Sequence, residues 1–342
     1  MIAMQMQAAR VHQQGAAVFS LDTVPTPQPE AGQVLIQVES ASVNFSDVKR
    51  RRGDLSPFVT DFPFIPGGEV AGTVVALGPG VEGPGVGTRV FALAGPNGYG
   101  GYAQYAPAYA FTAFPIPEGL SFDQASIFMI AGATAKLMLT QTARLAPGER
   151  VLIPAATGGV GSFALQIAQQ LGAGQIIAAV GHASKVEAAL DLGAHEAVVY
   201  TDARWPEQVR ALTGGKGVDV ALEASGGLVL RETLQCLASF GRLVVYGAAS
   251  GVSAQLDAPT VDQWLYAPAA NQSITGFGLG AWLFERPAEG GAALMGLMQD
   301  AISTKVRLPQ IQTLPLKEAQ TAHRLLEERR TTGKIVLKPW QE

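Results

Sequence analysis

VLIPAATGGVGSFALQIAQQLGA, residues 151–173, is the stretch that decides the fold. Its first five residues, Val151–Ala155, form a short apolar run of the kind a buried parallel strand needs. AATGGVG (Ala155–Gly161) then makes a glycine turn. From Ser162 the positions Ala164, Ile167, Ala168 and Leu171 share one helical face until Gly172 stops the helix. Strand, glycine turn and helix open a βαβ unit whose helix N-terminus offers unpaired N–H groups and a positive dipole end to a pyrophosphate. Gly158 lets the backbone approach that group and Gly161 lets helix and strand pack closely, while Thr157, Gly159 and Val160 complete the turn. Ala156 replaces the first glycine of the usual G-x-G-x-x-G, so the alternative is a strand-to-helix turn with no ligand.

The same rhythm recurs downstream. QIIAAV (Gln175–Val180), AVVY (Ala197–Tyr200), VDVALEA (Val218–Ala224) and RLVVYG (Arg242–Gly247) read as further buried strands, which predicts an α/β fold with a doubly wound parallel sheet. Residues 1–130 differ: alternating runs such as VLIQVES (Val34–Ser40) and EVAGTVVAL (Glu69–Leu77) between Gly and Pro predict a partly open β-barrel. A helix over Leu316–Arg329 and a strand over Lys334–Leu337 follow after Thr275. The expected division is a first domain, 1–130 completed by 275–342, around a dinucleotide-binding domain, 131–274.

The second strand of the unit tells which dinucleotide fits. An acid at its end would hydrogen-bond a ribose 2′-hydroxyl and repel a 2′-phosphate. Val180 and Gly181 stand there instead, followed by Ser184 and Lys185, a hydroxyl and a cation suited to phosphate. The cofactor expected is NADPH. Lys185 also opens the helix KVEAALDL, where a solvated lysine is ordinary, and His182 either touches the adenosine phosphate or is only exposed.

At 342 residues the chain exceeds one ordinary core, and its 48% apolar and 15% charged residues describe a compact globular protein. A net charge of −4 without a long basic tract argues against a nucleic-acid partner. Cys236 is the single cysteine, so neither an internal disulfide nor a multi-cysteine zinc site can form, and a packing role in a reducing compartment is expected. The N-terminus lacks a signal-peptide layout and no apolar run is long enough to span a bilayer, which predicts a cytoplasmic protein with no membrane partner.

SVNFSDVKRRRG (Ser42–Gly53), PFIPGGEVAGTVVALGPGV (Pro63–Val81), GTRV (Gly87–Val90), GGYAQY (Gly100–Tyr105), AATGGVG, ALDLGA (Ala189–Ala194), LEASGG (Leu222–Gly227) and TTGKIVL (Thr331–Leu337) together resemble the medium-chain dehydrogenase/reductase superfamily over nearly the whole chain. In its zinc alcohol dehydrogenases the catalytic metal is held where this chain has Asn44, Gly68 and Ala131. None of these can ligate zinc, so no metal is expected. The pattern is similar to the zinc-free quinone oxidoreductase branch, which uses NADPH and includes lens crystallins. That resemblance implies a GroES-like domain around a Rossmann domain, with the active site in the cleft. It also implies that Asn44 and Asp47 line the cleft, that Thr134 touches the nicotinamide side, and that Tyr200 flanks the adenosine. Ser225, Gly247 and Lys334 join the expected cofactor contacts. Lys49 departs from the branch, which often has Tyr there. The resemblance further implies a homodimer or homotetramer, paired through the last strands of the Rossmann sheet.

Without a Lewis acid, the negative charge that a hydride places on an acceptor must meet hydrogen-bond donors or a proton source. Quinones and conjugated carbonyls delocalise it, so a small molecule of that class is the expected substrate. An enone, enal or enoyl-thioester reductase is the alternative within enzymes, and an NADPH-binding crystallin-like protein the alternative outside them. Asn44 could donate its amide hydrogen to the acceptor and Asp47 could orient it or pass protons, or the two could simply cap the turn before a helix. The run Lys49, Arg50, Arg51, Arg52 is expected to be a solvated face, with an anionic substrate as the other possibility. Tyr99, Tyr102 and Tyr105 either stack on a quinone or merely pack. His195 and His323 receive no catalytic role.

Overall fold

The structure, a computed structural model, describes residues 4–15, 18–54, 60–252, 254, 256–266 and 271–341. It divides into two compact units, Met1–Ile130 with Gln310–Glu342, and Ala131–Pro309. In chain order the strands are β1 (Gln5–Arg10), β2 (Ser20–Pro25), β3 (Gln33–Val43), β4 (Glu69–Leu77), β5 (Arg89–Leu93), β6 (Tyr105–Tyr109) and β7 (Phe114–Pro115) in the first unit. The second unit carries β8 (Arg150–Pro154), β9 (Gln175–Val180), β10 (Glu196–Val199), β11 (Val218–Glu223), β12 (Leu237–Val245) and β13 (Ser273–Gly276). β14 (Ile311–Pro315) and β15 (Lys334–Lys338) return to the first.

In the second unit every strand pairing is parallel and the order is β10-β9-β8-β11-β12-β13. The first strand lies inside the sheet and the chain winds outward from it in both directions, as in a Rossmann sheet, where ligands bind beyond the carboxyl ends at the point of reversal. The glycine turn follows β8 and therefore sits at that point. The strand stops at Pro154 rather than Ala155, because Ala155 takes a left-handed conformation with φ 47°. The helix begins at Gly159 and not Ser162, and Gly161–Ala168 are buried on all sides. Gln166 is tolerated inside because its amide donates to the Arg307 carbonyl (2.9 Å) and accepts from the Arg307 N–H (2.7 Å).

The expected return of the chain at residue 275 takes place at Gln310 instead. β13 extends the parallel sheet by pairing Arg242–Val245 with Ser273–Gly276, and the helix Pro287–Ile302 buries Leu294, Leu297 and Met298 within the second unit.

The first unit is organised by β3, eleven residues long and buried at nearly every position. β4 pairs antiparallel with it from Val34 to Ser42, with register shifts at Leu35/Ile36 and Val38/Ser40. β6 takes Gln33–Gln37 and β15 takes Ala41–Val43 on the remaining edge, which curls the seven-stranded sheet into a partly open, GroES-like barrel. Val34, Ile36, Val38, Val70, Val74, Val90, Ile335 and Leu337 fill its core.

Candidate functional site

The glycine turn admits no side chain where it matters most. A Cβ on Gly161 would meet the Ala155 carbonyl at 2.5 Å and Ala156 backbone at 2.6 and 2.8 Å, so only glycine allows helix and strand this close. A Cβ on Gly158 would lie 3.1 Å from the same carbonyl. Ala156 is fully buried and donates its N–H to Ala179 on β9, so a methyl group fits where the usual motif has its first glycine. Gly159, Val160 and Gly161 form the first helical turn, whose N–H groups have no carbonyl one turn back to pair with. Thr157, in the same turn, is 3% exposed.

The neighbouring strands bring other expected cofactor residues to the same sheet edge. β9 ends at Val180, and β10 pairs with it so that Tyr200 donates its N–H to the Val180 carbonyl (3.0 Å), beside Gly181. Ser184 and Lys185 lie in the short turn after Gly181, where the exposed His182 ring accepts the Ser184 N–H at 3.2 Å and contacts its hydroxyl at 2.8 Å. His182 is thus a cap. Past β11, the buried Glu223 carboxylate accepts the N–H groups of Ser225 (2.6 Å) and Gly226 (3.1 Å), and burial raises its pKa against those bonds. Ser225 is held by Glu223, and Gly247, beyond β12, packs against Ala224. Thr134 is buried in the helix Ala133–Leu137 of the second unit.

The first unit carries a separate polar cluster built by strand register. Ser42 on β3 pairs with Glu69 on β4, and Val43 pairs with Ile335 on β15, so Glu69 and Lys334 flank the end of β3 where Asn44 begins the helix Phe45–Arg52. Lys334 donates to the Asn44 side-chain oxygen (2.6 Å), the Val43 carbonyl (3.1 Å) and Glu69 Oε1 (3.3 Å). Three N–H groups thus have three protein acceptors. In this arrangement the lysine expected as a cofactor contact has all three donors on protein acceptors. The Asn44 amide donates to Glu69 Oε1 (2.9 Å) and the Ser42 carbonyl (3.4 Å), so its hydrogens point inward and it does not present a donor to an acceptor. Glu69 Oε2 accepts the Ile130 N–H at 2.7 Å.

Asp47 remains the titratable group of interest. Its Oδ2 accepts the Asn44 N–H (2.9 Å) and the Tyr102 hydroxyl (3.1 Å), whereas Oδ1 receives no hydrogen bond among the described residues. Oδ1 lies 3.7 Å from where a Cβ on Gly68 would stand. Burial pushes the carboxyl up to about 6, with the Asn44 N–H, Lys334 and Tyr102 opposing the rise.

Tyr102 is fully buried, with its ring against Gly67, and does not stack on a ligand. Tyr99 lies beneath the Arg50 guanidinium at 4.6 Å and Tyr105 packs edge-on against Trp340. The basic run is not a solvated face. Arg50 and Arg51 are 8% and 5% exposed, Arg51 pairs with Glu327 at 2.6 Å, and Arg52 pairs with Asp54 at 2.8 Å. Each guanidinium has acceptors, which is what permits its burial. Lys49 is half-buried, its pKa lowered by that burial, and its ammonium makes no hydrogen bond or ion pair among the described residues.

Among the described residues, no three His, Cys, Asp or Glu side chains are grouped to hold a metal ion, and no helix is long and apolar enough to cross a membrane.

Residues 30–118 match the alcohol dehydrogenase GroES-like domain, and residues 159–287 match the zinc-binding dehydrogenase family. A 2-haloacrylate reductase from a Burkholderia species is 35% identical over 98% of this chain and 99% of its own. The quinone oxidoreductase of Salmonella typhimurium is 34% identical over 93% of this chain and 95% of its own. The structure is similar to that of Escherichia coli quinone oxidoreductase complexed with NADPH, with TM-score 0.87 and 30% identity, covering 98% of this chain and 100% of that one. With both domains and nearly the full length matched, the chain belongs to the medium-chain dehydrogenase/reductase superfamily of oxidoreductases, in its quinone oxidoreductase branch.

Proposed function

We propose that this protein is an NADPH-dependent reductase of quinones or similarly conjugated carbonyl compounds. The carrying observation is the turn after β8, where backbone N–H groups gather at the carboxyl edge of the parallel sheet and Gly161 leaves no room for a side chain. The N–H groups of Gly159, Val160 and Gly161 would hold the pyrophosphate. Ser184 and Lys185 would meet the 2′-phosphate, with Tyr200 against the adenosine and Thr134 toward the nicotinamide. When bound, NADPH supplies the hydride.

Asn44 and Gly68 in the first unit and Ala131 in the second are not the Cys and His ligands that zinc takes, so an acceptor that spreads the incoming charge over a conjugated system fits best. Asp47, through Oδ1, is the group suited to supply the proton that completes the reduction. Asn44 acts indirectly, fixing Asp47 by its N–H and tying Lys334 to Glu69. A homodimer or tetramer is also proposed, because β13 ends the sheet with an unpaired edge among the described residues.

A second reading concerns the charge of the acceptor. Lys49, half-buried, acted on by the Asp54 charge but without a hydrogen bond or close ion pair among the described residues, supports a conjugated acceptor bearing a carboxylate or phosphate, and the relatedness to a 2-haloacrylate reductase supports it further. Loss of NADPH should be followed with quinones, neutral enones, enoyl-CoA esters and a conjugated carboxylate. Quinone turnover at least tenfold above that of simple ketones is expected. If Lys49→Met weakens only anionic acceptors, the second reading holds. NADPH binding without turnover of any acceptor would overturn the reductase and leave a crystallin-like binding protein.

A further inference from the structure

Asp47 is one end of a line of hydrogen bonds that the reduction chemistry above leaves unused. Arg51 Nε donates to His323 Nδ1 at 3.3 Å, His323 Nε2 lies 3.2 Å from the Tyr102 hydroxyl, and that hydroxyl lies 3.1 Å from Asp47 Oδ2. The residues come from the helix Phe45–Arg52, from the glycine loop before β6, and from the helix Ala319–Glu327, all within the first unit.

The direction of the line follows from donor chemistry. Arginine can only donate, so His323 Nδ1 must accept and the ring proton must sit on Nε2. Nε2–H then donates to the Tyr102 oxygen, which leaves the tyrosine O–H to donate to Asp47. Burial lowers the His323 pKa to about 3, with the Arg51 charge adding to it, so the ring stays neutral and keeps this tautomer. Phe19 closes over the line, its ring 4.8 Å from that of His323 and 6.5 Å from that of Tyr102.

At the far end Asp47 Oδ2 takes two donors, Asn44 N–H and Tyr102 O–H, and is saturated. A proton carried by this carboxyl therefore belongs on Oδ1. We propose that Arg51, His323 and Tyr102 are positioning residues that act through Asp47, locking its Oδ2 to the protein and leaving Oδ1 as the only oxygen that takes or gives a proton. The consequence for turnover rests on Asp47 as the proton source proposed above; the positioning itself does not. Other charges facing Asp47 are Lys334, which favours its ionised form, Glu69, which opposes it, and Arg50 on its own helix.

The test reads the carboxyl directly. In the full-length protein with 13C-labelled aspartate carboxyls, the Asp47 resonance is the one lost in Asp47→Asn. Tyr102→Phe keeps the ring and removes one donor to the carboxylate, so the Asp47 titration should move up by roughly half a unit to one unit. His323→Leu should move it the same way by less. No shift in Tyr102→Phe, or a downward one, would overturn the proposal. Should the variants not fold, the wild-type imidazole answers by 15N NMR: a proton on Nε2 of His323 is expected, and one on Nδ1 overturns the line. NADPH-dependent turnover separates the two readings. If the alkaline limb of the rate profile moves with the carboxyl, Asp47 is the proton source; if the carboxyl moves and the limb does not, positioning stands and the proton-source reading fails.

Discussion

Lys334 and Glu69 form an ion pair of 3.3 Å whose side chains are 4% and 0% exposed, bridged by the Asn44 amide. Two buried charges persist only because each also has hydrogen-bond partners: Asn44 and the Val43 carbonyl for the lysine, Asn44 and the Ile130 N–H for the glutamate.

Removing one partner should therefore cost more than removing both. Lys334→Met or Glu69→Gln alone is expected to destabilise the first unit by about 3–5 kcal/mol, the usual consequence of stranding a buried charge. The double variant should lose clearly less than the sum. Denaturant unfolding of the four proteins gives the comparison, and additive losses would mean that the two charges do not depend on each other.

The glycine turn predicts a graded response. Gly161→Ala forces a methyl into the Ala155 and Ala156 backbone and should weaken NADPH binding at least tenfold and lower the Tm by several degrees. Gly158→Ala meets a single carbonyl at 3.1 Å and should cost less on both counts. NADPH fluorescence titration with thermal unfolding checks the order, and equal effects would contradict it.

Cofactor preference is best tested one residue beyond the strand. Val180 is 1% exposed within β9, so an acid there would be buried, whereas Gly181 is half-buried at the edge beside Tyr200. Gly181→Asp should shift binding toward NADH, and Lys185→Ala should weaken NADPH more than NADH. An unmodified protein that binds NADH more tightly than NADPH would contradict both.

Asp47 and His323 give stability opposite pH dependences. Asp47 titrates at about 6 when folded and near 3.8 when unfolded, so the folded state holds the proton more tightly and stability falls as pH rises through that window. His323 is neutral in the fold down to about 3 against 6.5 unfolded, so its contribution is lost as pH falls below 6.5. The two nearly cancel between pH 4 and 6. Asp47→Asn removes only the first, and its stability relative to the parent should rise by an amount on the order of 3 kcal/mol from pH 4 to pH 7. A pH-independent difference between the two proteins would show that the Asp47 carboxyl is not perturbed by folding.

Lys334, Tyr102 and His323 show where reading by residue fails. Each was visible as a residue type: a lysine in TTGKIVL, a tyrosine in a glycine loop, a histidine on a helix face. Their partners lie 290, 55 and 272 positions away, across β3–β15 pairing and the return of the C-terminal helix. The basic run Lys49–Arg52 misleads for the same reason, because the acceptors that allow Arg50 and Arg51 to be buried, Asn97 and Glu327, are remote in sequence. Glu69 had a local clue, as the acid that follows Gly68 in an otherwise apolar strand.

What the sequence determined by itself is what depends on neighbours along the chain. Strand and helix periods, the glycine spacing from Gly158 to Gly161 and the missing acid after Val180 are local patterns, and they sufficed for the parallel sheet and the expected nucleotide. The tertiary structure decided what depends on pairing at a distance. Antiparallel register set Glu69 and Lys334 on either side of Asn44, turned the Asn44 amide inward and left Asp47 Oδ1 without a protein partner among the described residues, because a buried polar atom takes its character from whatever the fold places within about 3 Å of it.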